Sequence, residues 1–134
     1  MKFRGHICIG IPSQKSPRGA MGRRIVLPLS VVRDRIHTLV GCAVTDGHNG
    51  RVVGVITKAT IIGLRMVFEG ELQQTTSRDP ETYRFSYEIV EAHVLDYAAR
   101  RVWRIKRFDR FTGMALVGSP QRPAHESSSL RMVR

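Results

Sequence analysis

Residues 51–73 constrain the fold more than any other part of the chain. RVVGVITKATI and LRMVFEGELQ are two runs dense in β-branched and aromatic residues, joined through Ile62 and Gly63. Such residues fit a pleated, half-buried surface, and a glycine between two runs marks a chain reversal. The pair therefore reads as a β-hairpin.

Other segments carry the same signature. Residues 2–11 (KFRGHICIGI) alternate polar and apolar, and 24–28 (RIVLP) is a short strand ending at a proline. Residues 41–45, 83–95, 101–108 and 111–118 read as further strands. Turn signals Asp46-Gly47 and Asn49-Gly50 bracket His48. Between the strands lies one helical pattern, with Ser30 as N-cap, Val31, Val32, Ile36, Leu39 and Val40 near one face, and Gly41 as its stop. Residues 12–23, with their Pro, Gly and Ser, read as a mobile loop, and 74–82 as a polar loop. The expectation is a mostly β (α+β) fold: a small closed or partly closed β-barrel of about seven strands with one or two helices. A basic N-terminal strand and loop (1–23) precede the barrel domain (24–119), and an irregular polar tail (120–134) follows. A length of 134 residues allows one domain with one core.

Charge is concentrated rather than spread. The chain has 22 Lys and Arg against 11 Asp and Glu, a net charge of +11. Residues 1–24 contain six basic residues and no acid, and RRVWRIKRFDR at 100–110 contains six basic residues with Asp109. A basic excess gives affinity for polyanions, either nucleic acid or an acidic protein surface. In the 100–110 block, Trp103 and Phe108 interleaved with arginine suit base stacking. The competing reading, a half-buried strand with a solvated basic face, is the stronger one. No apolar run approaches the ~20 residues of a membrane helix, and the N-terminus lacks the apolar core of a secretory signal. Cys8 and Cys42 form no CxxC pair and imply neither a disulfide framework nor a cysteine zinc site. No GxGxxG, GxxxxGK[ST] or HExxH string occurs, so no cofactor and no metal are expected.

The residues open to chemistry are few. His48 stands in a glycine-flanked turn just before a strand, and Ser86 lies within the apolar strand YRFSYEIVEA. A histidine beside a serine hydroxyl takes its proton as attack proceeds, which makes the serine a nucleophile. His6, His37, His93 and His125 compete for the role of base, with His93 and Asp96 lying just past Ser86. Asp79, Glu81, Glu88 and Glu91 read as solvated strand-edge charges. Trp103 and Tyr87 read as packing residues.

Three stretches together resemble the prohead (capsid maturation) proteases of tailed phages, whose fold is similar to herpesvirus assemblin. They are LVGCAVTDGHNGRVVGVITKATIIGLRMVFEGEL (39–72), FSYEIVEAHVLD (85–96) and VWRIKRFDRFTGMALVGSPQRPA (102–124). The first resembles the family's His segment, strand and hairpin; the second its serine strand; the third its final strand pair. The resemblance implies His48 as general base and Ser86 as nucleophile. It places the third member on the strand pair after the serine, where this chain offers Asp109 and Thr112. Many relatives carry Glu where this chain reads Thr-Gly-Met at 112–114. A threonine orients an imidazole but does not stabilise the imidazolium as a carboxylate does.

The resemblance implies a serine endopeptidase of phage head morphogenesis, processing scaffold and capsid proteins inside the procapsid in the host cytoplasm. The alternative is a catalytically inactive virion structural protein of the same fold, a cement, decoration or minor capsid protein. Its basis is the missing carboxylate, the short length and the basic tails. Either way the expected partners are the major capsid and scaffold proteins. A homo-oligomeric or capsid-associated state is expected, with non-specific nucleic-acid contact and no membrane. One distance separates the two readings. An active site needs a His48 ring nitrogen within hydrogen-bond reach of Ser86 Oγ, whereas separation beyond about 6–7 Å favours the structural protein.

Overall fold

In the computed structural model, residues 1–13, 16, 20–118 and 128–133 are described. Ten strands form: β1 (Lys2–Cys8), β2 (Arg24–Val26), β3 (Ala43–Asp46), β4 (Val52–Ile62), β5 (Arg65–Leu72), β6 (Arg84–Val90), β7 (His93–Tyr97), β8 (Val102–Arg107), β9 (Arg110–Val117) and β10 (Ser128–Val133). Seven make one sheet in the order β10-β1-β5-β4-β3-β9-β6, and three make a second in the order β2-β8-β7. The larger sheet curls until its two edge strands, β10 and β6, come within 8 Å between Cα atoms. The architecture is thus a mostly β, partly closed barrel with a small sheet beside it.

The β4–β5 hairpin forms as its residues dictate, antiparallel from Gly54–Leu72 to Ile62–Arg65. Burial alternates along β5, with Met66, Phe68, Gly70 and Leu72 inward, as a strand with one face on a core must. Phe3, Phe68 and Phe85 come from β1, β5 and β6 and meet at the centre of the core. The Phe68 and Phe85 centroids lie 4.7 Å apart edge-on, and those of Phe3 and Phe85 5.6 Å apart. Burying such rings is the largest local contribution to stability.

Three features depart from the sequence reading. The strands number ten among the described residues rather than about seven: 83–95 is two strands in different sheets, and the tail adds β10. Glu91, with φ of 54°, turns the chain out of β6 and into β7, and a non-glycine left-handed residue gives no sequence signal. The tail is not irregular throughout: Ser128–Val133 pair antiparallel with β1, supplying hydrogen bonds to an otherwise free edge. The helix α1 runs Leu29–Arg35, so Ser30 lies inside it. Pro28 is the cap, and its carbonyl accepts from Val31 and Val32 N–H at 3.1 Å. A 3-10 turn, Ile36–Leu39, continues it to Gly41, whose φ of 89° ends the segment. Of the expected mobile loop and tail, residues 14, 15, 17–19, 119–127 and 134 lie outside the described residues. Among the described residues, no helix is long and apolar enough to cross a membrane.

Candidate active site

Ser86 and Glu88 stand two residues apart on β6, so the pleat sends both side chains to the same face. That face is the outer one, because Phe85 between Arg84 and Ser86 is fully buried in the core. β9 lies next to β6, and its residues opposite Ser86 and Glu88 are Ala115 and Gly113. On the far side of β9 runs β3, parallel to it, with Ala43 opposite Gly113 and Thr45 opposite Ala115. Only small residues of β9, Gly113 and Ala115, thus stand between the end of β3 and the middle of β6.

His48 reaches β6 from the turn that follows β3. Its Nε2 is 3.0 Å from Ser86 Oγ, and its Nδ1 is 3.1 Å from Glu88 Oε2. Both are hydrogen-bond distances. A carboxylate only accepts, so Nδ1 carries a proton, and in the neutral ring Nε2 then presents its lone pair to the Ser86 hydroxyl. The side chains of His48 and Glu88 are 44% and 33% exposed, so the site is open to a macromolecule.

The turn bearing His48 is tied down on several sides. Gly47 N–H donates to the Leu116 carbonyl at 2.9 Å, fixing the turn to β9. Asp46 accepts from Ser77 N–H at 2.9 Å, Ser77 Oγ at 3.3 Å and Tyr83 Oη at 2.8 Å. Arg51 donates to the Thr75 carbonyl. The loop leading into β6 is thereby clamped to the turn that carries His48. Burial pushes the Asp46 carboxyl up. The hydrogen bonds from Ser77 and Tyr83, with Arg51 nearby, outweigh it and hold Asp46 below its ordinary value. Gly50 closes the turn, where a Cβ would lie 1.9 Å from the Asp46 carbonyl oxygen.

His48 and Ser86 are therefore brought together, and Asp109 and Thr112 are not part of the group. Asp109 sits in the reversal between β8 and β9 with its carboxylate on Arg110. Thr112 is exposed and is the extra residue where the β6–β9 register slips between Glu88 and Ile89. The carboxylate comes from Glu88, which on the sequence alone reads as a solvated edge charge. Its signal was present: a serine and a glutamate at alternate positions of one strand share a face. Gly113 completes the arrangement, because a Cβ there would lie 2.6 Å from Glu88 Oε1.

Two neighbours need placing. Cys42 is no rival nucleophile: burial pushes its thiol up, and Sγ faces the Thr38 and Phe111 carbonyls at 3.2 and 3.3 Å. His6 lies on β1, held below its ordinary value by burial and by Arg65. Among the described residues, no cluster of three or more His, Cys, Asp or Glu side chains is placed to hold a metal ion. Comparison with protein-family models, with curated proteins and with solved structures found no match to this chain.

Proposed function

We propose that the chain is a serine endopeptidase of the phage head-assembly type, with Ser86 as nucleophile, His48 as general base and Glu88 as the carboxylate that orients and stabilises it. The observation that carries this reading is the continuous relay from Ser86 Oγ through both His48 ring nitrogens to Glu88 Oε2, at 3.0 and 3.1 Å. The three stretches that resemble prohead proteases support the same assignment of His48 and Ser86. Of the three grounds for the inactive structural-protein reading, the missing carboxylate is met by Glu88, which stands 3.1 Å from His48 Nδ1; the short length and the basic tails remain its basis.

The chemistry follows from the geometry. Nε2 takes the hydroxyl proton as Ser86 Oγ attacks a peptide carbonyl carbon, and Glu88 stabilises the imidazolium that forms. His48 then gives the proton to the leaving amine, which departs and leaves an acyl-serine. Water, activated by the same nitrogen, hydrolyses the ester and restores the serine. An open site of this kind suits segments of scaffold and capsid proteins gathered at high concentration inside an immature shell.

Co-expression with the scaffold and major capsid proteins of the same phage tests the reading. The parent chain cleaves them, and Ser86→Ala does not. A fluorophosphonate probe labels the parent on Ser86 and leaves the variant unlabelled. Processing that continues unchanged in Ser86→Ala sinks the proposal.

A further inference from the structure

The small sheet carries a face that the peptidase reading does not use. Its register sets Arg24, Val102 and Tyr97 in one row, and Val26, Arg104 and Leu95 in a second row two residues along. The two rows share a face. Tyr97 and Leu95 are 47% and 43% exposed, and Arg24 and Arg104 are exposed beside them. Arg100 and Arg101 occupy the turn joining β7 to β8, and Lys106 and Arg107 end β8, all four exposed. None of these six cations is ion-paired among the described residues. The acid within β7, Asp96, falls in the row of Trp103 on the opposite face and is engaged by Arg23 at 3.3 Å.

We propose that this face is a binding surface for single-stranded nucleic acid. Six uncompensated cations on one small sheet attract a polyanion. An exposed tyrosine ring among guanidinium groups adds what a base needs, a stacking platform standing on a pleated surface. In a double helix the base faces are already stacked on one another, which leaves an exposed ring such as Tyr97 no base to stack on. An acidic peptide matches the charge but leaves Tyr97 and Leu95 without a role. The aromatic group is not the one the sequence pointed to. Phe108 is only 2% exposed, and Trp103 is half-buried with its indole nitrogen covered. Tyr97, outside the basic block, takes the place of both.

Fluorescence anisotropy of a 5′-labelled oligothymidylate of about twenty nucleotides, titrated with the full chain across salt concentrations, tests the assignment. The logarithm of the affinity falls linearly with the logarithm of salt. Arg104→Gln and Arg107→Gln each make that slope shallower by about 0.7. Tyr97→Ala weakens binding about five- to a hundredfold with the slope unchanged, and Tyr97→Phe keeps the parent affinity. The thermal midpoints of all four variants match the parent, since the residues are exposed. Absence of binding at low salt overturns the proposal. So does displacement by polyglutamate of equal charge together with a neutral Tyr97→Ala, which assigns the face to an acidic protein segment instead.

Discussion

Gly113→Ala tests the proposed role of Glu88 without replacing Ser86, His48 or Glu88 itself. The added Cβ lies 2.6 Å from Glu88 Oε1, about 0.8 Å inside ordinary van der Waals contact at 3.4 Å. Its next neighbours, the Ala43 carbonyl oxygen at 3.5 Å and Glu88 Cδ at 3.7 Å, are comfortable. The conflict is therefore with one carboxylate oxygen at the end of a flexible side chain. The backbone is extended strand, which alanine adopts freely. Folding tolerates the change, and loss of glycine's freedom in the unfolded chain adds about 0.4–1 kcal/mol of stability. The site does not tolerate it, because moving Oε1 by that much swings Oε2 off His48 Nδ1. Misplacing a catalytic group by about 1 Å costs about 10²-fold in rate, and full loss of the orienting carboxylate about 10⁴-fold. The expected result is a fall in kcat of about a hundredfold, with KM near the parent value and an equal or higher thermal midpoint. Fluorophosphonate labelling of Ser86 and cleavage of the scaffold protein both report it. In a Glu88→Gln background the same substitution adds little further loss, because the two act through one contact. Full activity in Gly113→Ala, or a loss that tracks unfolding, refutes the assignment of Glu88.

Three further outcomes follow from the same contacts. Gly50→Ala sets a Cβ 1.9 Å from the Asp46 carbonyl oxygen, so the His48 turn must shift; labelling at Ser86 slows while the far-ultraviolet dichroism stays that of the parent. Phe85→Ala empties the centre of the aromatic cluster and costs about 3–5 kcal/mol in denaturant unfolding, with loss of labelling because β6 carries Ser86. Asp46 is held below its ordinary value of 3.8, so its stabilisation is fully present above that pH and is lost as pH falls through the lower folded value. Unfolding midpoints of Asp46→Asn against the parent check this, with a difference that narrows in acid.

The parts of this molecule that were legible in the sequence are those encoded locally. The β4–β5 hairpin declares itself through β-branched runs and Gly63, and the His48 turn through its flanking glycines. What was not legible depends on partners far along the chain. β10 forms on residues 128–133, half of which are Ser or Arg, because β1 offers an unpaired edge there. The break between β6 and β7 rests on Glu91 in a left-handed conformation, adopted because two different sheets claim the flanking strands. The resemblance points to the last strand pair for the third member, at Asp109 and Thr112, whereas the carboxylate beside His48 stands on β6 and Thr112 is the neighbour of Gly113. Gly113 contributes by having no side chain, and an absence of atoms becomes readable only once the β6–β9 register is known.

The same register explains how so small a chain can hold a three-part site. Ser86 and Glu88 need no tertiary contact to stand on one face, since the pleat of β6 fixes their relation. One relation remains to be built by folding, that of the His48 turn to β6. The anchors gather there: Gly47 on Leu116, Arg51 on Thr75, and Asp46 on Ser77 and Tyr83. The Asp46–Ser77 and Arg51–Thr75 contacts are exposed, while Tyr83 and Leu116 join them to the buried core. Weakening the anchors should thus slow acylation of Ser86 well before it lowers the unfolding midpoint, whereas weakening the core lowers both together. Tyr83→Phe, which removes one hydrogen bond to Asp46 and leaves the buried ring in place, separates the two cases. A variant that labels slowly yet melts near the parent places the control of reactivity in the His48 turn. A variant that loses both in parallel places it in the core.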